Sequence, residues 1–421
     1  MNHELVISAG TVDITPERPS MLGGYNKRTD PFTAVADRLE GNVLIIKDST
    51  SRVVIVSTDL LYPGDALRNE LLKALSIVNN ESELFLCASH THYAPMTALS
   101  MPRLGVADLD YVRFVAARIT ALIKSIEQTG NVCIATYHEG AANHSINRRL
   151  RCFRVTSQGL ARNIGMGPNP EGERDEQVRI LKFCEPGGQP LALIWNYACH
   201  AADSVDGLKV SAAFPGVVRS RLRSDLGRIP VLFLQGFSGN VRPPFTGTSF
   251  GVKGLVRRAL LGPRFRTPRR PEWQAWSNSL ADCVASFAQS SPRRLQVGSP
   301  MAKRIEVPED EFAIGGDGNK PLVWHLIDCG ELRIVGINAE PMVQYRKLLA
   351  KSLGDVPLLT AGCLDQTQCY LPSDEMIPEG GYEVEGFRPL FNFKGRFREK
   401  VQDPVIQRLT RTATQPRRGN A

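Results

Sequence analysis

Leu84-Phe85-Leu86-Cys87-Ala88-Ser89-His90-Thr91-His92 is the stretch from which the rest of the chain can be read. An apolar run of this length reads as a buried strand, and it delivers two imidazoles at its carboxyl end. A second run, Leu191-Ala192-Leu193-Ile194-Trp195-Asn196-Tyr197-Ala198-Cys199, ends on His200. The chain has only seven histidines, so three of them at strand ends need a reason. Neutral imidazole is the commonest side-chain ligand for zinc. In open α/β sheets, ligands gather beyond the carboxyl ends of the strands. A metal-dependent enzyme is the first expectation.

Other apolar runs end in the same way. Arg52 to Asp59 reads as a strand ending on a carboxylate, and Pro230 to Gln235 leads into Gly236-Phe237-Ser238-Gly239-Asn240. Leu332 to Asn338 leads to Ala339-Glu340-Pro341. Between them lie amphipathic stretches of helical period: 65–80, 108–130, 214–226 and 272–289. Val178 to Phe183 and Leu191 to His200 flank Pro186-Gly187-Gly188 as a hairpin. Alternating elements of this kind define an α/β protein with mixed sheets layered by helices. No repeat or low-complexity linker divides the chain, so a single domain is expected over 1–407, with a basic, flexible tail over 408–421.

Composition narrows the class. Hydrophobic residues make up 42% of the 421, enough for a large core, and no apolar run reaches the roughly 20 residues of a membrane-spanning helix. The start of the chain lacks a secretory signal pattern, so a cytoplasmic location is expected. Nine cysteines lie without paired short spacings, as expected of buried apolar thiols. The net charge of +8 is concentrated at Lys253, Arg257, Arg258, Arg264, Arg266, Arg269 and Arg270, and at Arg408, Arg411, Arg417 and Arg418. No nucleic-acid motif accompanies these clusters, so no nucleic-acid partner is expected. A solvated surface explains them first, an anionic group on a substrate second.

A His-X-His pair in extended backbone points both rings to one side. A metal then binds both, or takes one while the other serves as acid or base. The pair is not followed by the Asp-His of metallo-β-lactamase-like hydrolases, and neither His-Glu-X-X-His nor a nucleotide-binding glycine motif occurs. His138, His144 and His325 have no companions in the sequence and read as structural.

Taken together, the motifs resemble the catalytic region of the neutral/alkaline, non-lysosomal ceramidases, which are zinc-dependent amidases. The similarity runs in one order from Ala9-Gly10-Thr11-Val12-Asp13-Ile14-Thr15-Pro16 and Gly24-Tyr25, through Ala88-Ser89-His90-Thr91-His92, Ile146-Asn147-Arg148 and Asn196-Tyr197-Ala198-Cys199-His200. It continues through Ala339-Glu340-Pro341 to Cys369-Tyr370-Leu371-Pro372 and Glu379-Gly380-Gly381-Tyr382-Glu383.

The resemblance implies a ceramidase-like catalytic domain without that family's C-terminal immunoglobulin-like domain. It implies one Zn2+ per chain, held by His90, His200, Glu340 and Tyr382. His92 would move protons, while Arg148 and Tyr370 would hold substrate and stabilise the oxyanion. Asp59, from its strand-end position alone, is a candidate partner for a ligand histidine.

The resemblance departs at Gly236, which stands where the family has serine; there a backbone N–H would take over the substrate contact. The expected activity is hydrolysis of the amide bond of an N-acyl compound more polar than ceramide, small, and anionic or lipid-like. The alternatives are an inactive binding or scaffold homologue, and an esterase or acyltransferase using the same site.

Overall fold

The computed structural model describes residues 5–413 except 78, 79, 158, 204, 205, 248–261 and 355, and the side chains of 154–156. Three mixed sheets organise it. The first runs Leu84–Ala88, Arg52–Thr58, Glu40–Lys47, Val6–Asp13, Asn131–Val132 from edge to edge. The second runs Val231–Gln235, Pro190–Tyr197, Gln177–Cys184, Ile134–Ala141, Arg293–Arg294. The third runs Leu358–Ala361, Arg333–Ile337, Leu322–Gly330, Val297–Val307.

Each sheet is antiparallel except at one edge, where its last two strands run parallel. A parallel pair needs a crossover, and the crossovers here carry helices. These parallel edges meet. Phe85 and Ile55 of the first sheet, Leu232 and Ile194 of the second, and Ile334 and Leu359 of the third belong to one apolar cluster. Strands buried on both faces read as continuous apolar runs rather than alternating ones, which is why they were legible in the sequence. Each such fully buried Leu, Ile or Phe contributes about 1.5–3 kcal/mol.

Helices cover the outer faces. Gly64–Ala74 and Leu109–Ile126 pack on the first sheet, Ala213–Leu226 and Arg270–Gln289 on the second, Gln344–Leu353 and Gln402–Ala413 on the third. The layered mixed-sheet architecture expected from the sequence is the one observed. Asp108 caps its helix by accepting from the N–H groups of Asp110 and Tyr111. The helix expected over 65–80 stops early, because Ser76 adopts φ 54°. The strand pair Ile146–Thr156 and Gly159–Asn169 had no counterpart in the sequence reading, since glycines and arginines interrupt its alternation.

The tail boundary moves. Residues 408–413 continue a helix that buries Val405, Ile406 and Leu409, and Arg408 pairs with Glu311. Of the basic segment, Arg266 and Arg269 pair with Glu272, and Arg270 with Asp206. Lys253, Arg257, Arg258, Arg417 and Arg418 lie outside the described residues. The described cysteines are all free thiols, with Cys87, Cys199 and Cys363 fully buried. No helix among the described residues is long and apolar enough to cross a membrane.

Candidate metal centre

The carboxyl ends of the parallel edge strands deliver the site. Leu84–Ala88 leads to His90 and His92, Pro190–Tyr197 to His200, and Arg333–Ile337 to Glu340. His90 is not extended, contrary to the expectation for the His-Thr-His pair: its φ is 61°, a left-handed conformation uncommon outside glycine. The two rings nevertheless lie near each other, 4.9 Å between centroids and almost perpendicular.

The Nε2 atoms of His90 and His200 face each other at 3.0 Å. Each stands 3.5 Å from Oε2 of Glu340. Behind them, Nδ1 of His90 meets the Leu61 carbonyl and Nδ1 of His200 the Ser238 carbonyl, both at 3.2 Å. A carbonyl only accepts, so the proton of each neutral ring sits on Nδ1 and both Nε2 lone pairs point inward. Two lone pairs and a carboxylate oxygen therefore converge, and Oε2 has no hydrogen-bond partner. Such an arrangement is repulsive until a cation enters. With metal–ligand bonds of about 2.0–2.1 Å, a tetrahedral site has edges of about 3.3 Å; the observed triangle fits a zinc-sized ion.

Electrostatics prepares the rings to bind. Burial, then the surrounding positive charge, holds His92 and His200 well below the usual imidazole range; burial lowers His90, partly offset by Glu340. All three are neutral at pH 7 and ready to donate lone pairs. By proximity of donor atoms alone, His90, His92 and His200 form a potential metal group. Glu340 faces both His90 and His200, and both nitrogens of His92 are unpartnered.

The rest of the site hangs on short links. Glu340–Pro341 pairs in parallel with Tyr370–Leu371, which sets Glu340 beside Tyr370. Burial first, then the Glu340 carboxylate, holds the Tyr370 phenol well above its ordinary range, with Arg148 acting the other way. The Arg148 guanidinium lies 5.4 Å from the centre of the Tyr370 ring and 5.7 Å from that of Tyr382. Its Nη2 is buried without a partner, while its Nε donates to Glu383 at 2.9 Å. Burial opposes the Arg148 charge, but Tyr370, Glu383 and Glu340 outweigh it and hold the group above its ordinary value. Tyr382 packs 5.4 Å from Tyr370, and its phenol is pushed up to about 12, by burial first.

Two expected roles are corrected. Asp59 is not at the histidines: it pairs with Arg219 at 2.8 Å and accepts from the Glu40 N–H. The carbonyls of Leu61 and Ser238 fix the tautomers instead. Gly236 does not offer its N–H to a substrate, because that N–H donates to the Tyr197 carbonyl at 3.0 Å. Ser238, two residues on in the same turn, lies against the site.

That turn is a hub. Gly239 N–H donates to Pro341, the Asn240 carbonyl accepts from Arg148 N–H, and Val241 accepts from His200 N–H. A Cβ on Gly239 would lie 2.6 Å from the Glu340 carbonyl oxygen, so only glycine permits this approach. Sequence reasoning also missed Tyr62, which donates to Glu340, and Glu383, which holds Arg148. The neighbours Tyr382-Glu383 were the available signal for the second.

Fold and site together define a class: an α/β protein whose three mixed sheets converge on a buried cluster of three histidines that could hold a metal ion, with Glu340 beside it. Two solved structures share the architecture. The neutral ceramidase from Pseudomonas aeruginosa superposes with a TM-score of 0.72 at 16% identity, covering 97% of this chain and 74% of that one. A ceramidase complexed with C2 superposes with a TM-score of 0.72 at 14% identity, with the same coverage. No family model matches the chain. This protein has the neutral ceramidase-like catalytic fold.

Proposed function

We propose that this chain is a zinc-dependent amidohydrolase that cleaves the amide bond of an N-acyl compound. The observation that carries the reading is the inward convergence of His90 Nε2, His200 Nε2 and unpartnered Glu340 Oε2. Those three side chains would hold the ion, with the phenol of Tyr382 as the fourth ligand. Bound there, zinc supplies Lewis acidity, polarising the scissile carbonyl and lowering the pKa of a water to about 7.

The chain's own residues do the rest. His92, neutral and with both nitrogens free, takes the proton of the attacking water and returns it to the departing amine. Arg148 Nη2, on a guanidinium held by Glu383, and the Tyr370 hydroxyl, set beside Glu340 by strand pairing, are the donors for the oxygen that gains charge in the tetrahedral intermediate. Burial excludes bulk water, which strengthens each of these contacts. The fold shared with ceramidases supports a lipid-like acyl half.

The test replaces His90 or Glu340 by Ala and measures bound metal and release of amine from N-acyl substrates together. Both should fall; retained hydrolysis without bound metal would overturn the reading. The scaffold alternative rests on the glycine at position 236, and an intact metal site with no hydrolysis across a broad N-acyl panel would favour it. Matched esters and amides, with and without an acceptor amine, separate hydrolysis from acyl transfer.

A further inference from the structure

Beside the metal centre lies a cavity of about 620 Å³ whose walls include Tyr25, Arg28, Tyr93, Asp203 and Arg242. It adjoins the proposed reaction centre through one ring: Tyr25 stands 5.0 Å from His92, centroid to centroid. Gly24, at φ 104°, brings the backbone so close to His92 that a Cβ would sit 2.3 Å from Nδ1. A substrate half extending past His92 would run toward this cavity.

The charge in the cavity is unbalanced. Asp203 is already satisfied, held by Arg242 through two contacts of 2.5 and 3.2 Å. Arg28 has no carboxylate within ion-pair distance among the described residues. Its guanidinium lies over Tyr25 at 4.7 Å and Tyr93 at 5.0 Å, and Nη1 donates to the carbonyls of Gly23 and His92. Nη2 is buried and has no partner. Burial lowers this guanidinium, and the groups that act against burial are the two phenols. Lys27 adds a second positive charge on the wall, against an exposed Asp30. A buried guanidinium without an anion is costly, and its fork geometry matches a planar oxyanion.

We propose that this cavity is the subsite for an anionic oxygen group, a carboxylate or phosphate ester, on the amine half of the substrate, with Arg28 as the residue that selects it. The amine-half assignment rests on the hydrolase reading, in which His92 serves the departing nitrogen. The presence of an anion subsite rests on the cavity alone.

The experiment compares N-octanoylglycine, N-octanoylphosphoethanolamine and neutral N-octanoylpropylamine on the metal-loaded wild type, Arg28→Met and Arg28→Lys proteins. Amine release gives kcat/KM, and calorimetry gives affinity. The wild type should favour an acidic compound by about 10- to 100-fold, the worth of a charge-assisted hydrogen bond in a buried site. Whichever acid gains more identifies the anion.

Arg28→Met should bring that ratio close to one, whatever happens to absolute turnover; Arg28→Lys should keep part of the preference. Equal use of acidic and neutral amides by the wild type, or an unchanged ratio in Arg28→Met, would overturn the proposal and leave the hydrolase reading standing. If no amide is cleaved, that reading fails, and calorimetry on the intact acids decides the subsite. Arg28-dependent binding supports it; binding no tighter than that of the neutral amide overturns it.

Discussion

Tyr62 and Glu340, 278 residues apart in the chain, meet through a hydrogen bond of 2.5 Å from the phenol to Oε1. Because Oε1 is occupied in this way, Oε2 alone faces the imidazoles. The carboxylate is oriented before any ion arrives. Tyr62→Phe should weaken metal binding by about 10- to 100-fold, the usual cost of losing a partner that orients a ligand. Competition against a chromogenic chelator would measure this, and an unchanged affinity would remove Tyr62 from the site.

Metal removal should destabilise the fold as well as stop turnover. Two imidazole lone pairs and a carboxylate oxygen are left facing one another without a cation. Zinc at a thousandfold excess over its Kd should add about 4 kcal/mol of stability. Thermal melts with and without chelator test this in the wild type. His90→Ala should show little of the increment.

Gly24→Ala separates proton transfer from metal binding. The added methyl would meet Nδ1 of His92 at 2.3 Å, and the φ of 104° penalises any side chain. The ring must move, while His90, His200 and Glu340 keep their places. Metal content should stay at wild-type level while kcat falls by about a hundredfold or more. Loss of the metal instead would show that His92 is a ligand.

Glu383 receives Arg148 at Oε1 and Arg149 at Oε2, each at 2.9 Å, with all three side chains buried. Glu383→Ala leaves two buried guanidiniums without their shared carboxylate and should cost about 3–5 kcal/mol in denaturant unfolding. Glu383→Gln, which keeps the shape, should be milder in stability yet still lower kcat, because Arg148 loses its charged anchor.

Asp59→Asn should reduce stability through Arg219 and leave metal affinity unchanged. That outcome would match its place beside Glu40 and Arg219 rather than beside the histidines. A shift in metal affinity would restore the role that its strand-end position suggested.

The sequence displayed the strands of the three parallel edges because burial on both faces makes them unbroken apolar runs. It displayed His90, His200 and Glu340 because each follows such a run directly. It hid the partners that orient them. Leu61 and Ser238 act through backbone carbonyls, which carry no side-chain signature. Asp59 looked equivalent to the ligands because it too ends a strand, but strand order, which spacing does not encode, turned it toward Arg219. The hairpin carrying Arg148 was hidden by its glycines, and the bond from the Gly236 N–H to the Tyr197 carbonyl is a tertiary contact that spacing does not encode.

The proposed ligand set is also a record of assembly. His90 and His200 are separated by 110 residues, and Glu340 follows Arg333–Ile337, a strand of the third sheet. None can approach the others until the three apolar edges have docked. Unlike a zinc finger, whose ligands are neighbours in sequence, this chain cannot recruit its ion early to guide collapse. High-affinity metal uptake during refolding should therefore be the last event to appear, and a chain stalled with one sheet undocked would be recognisable by its failure to bind.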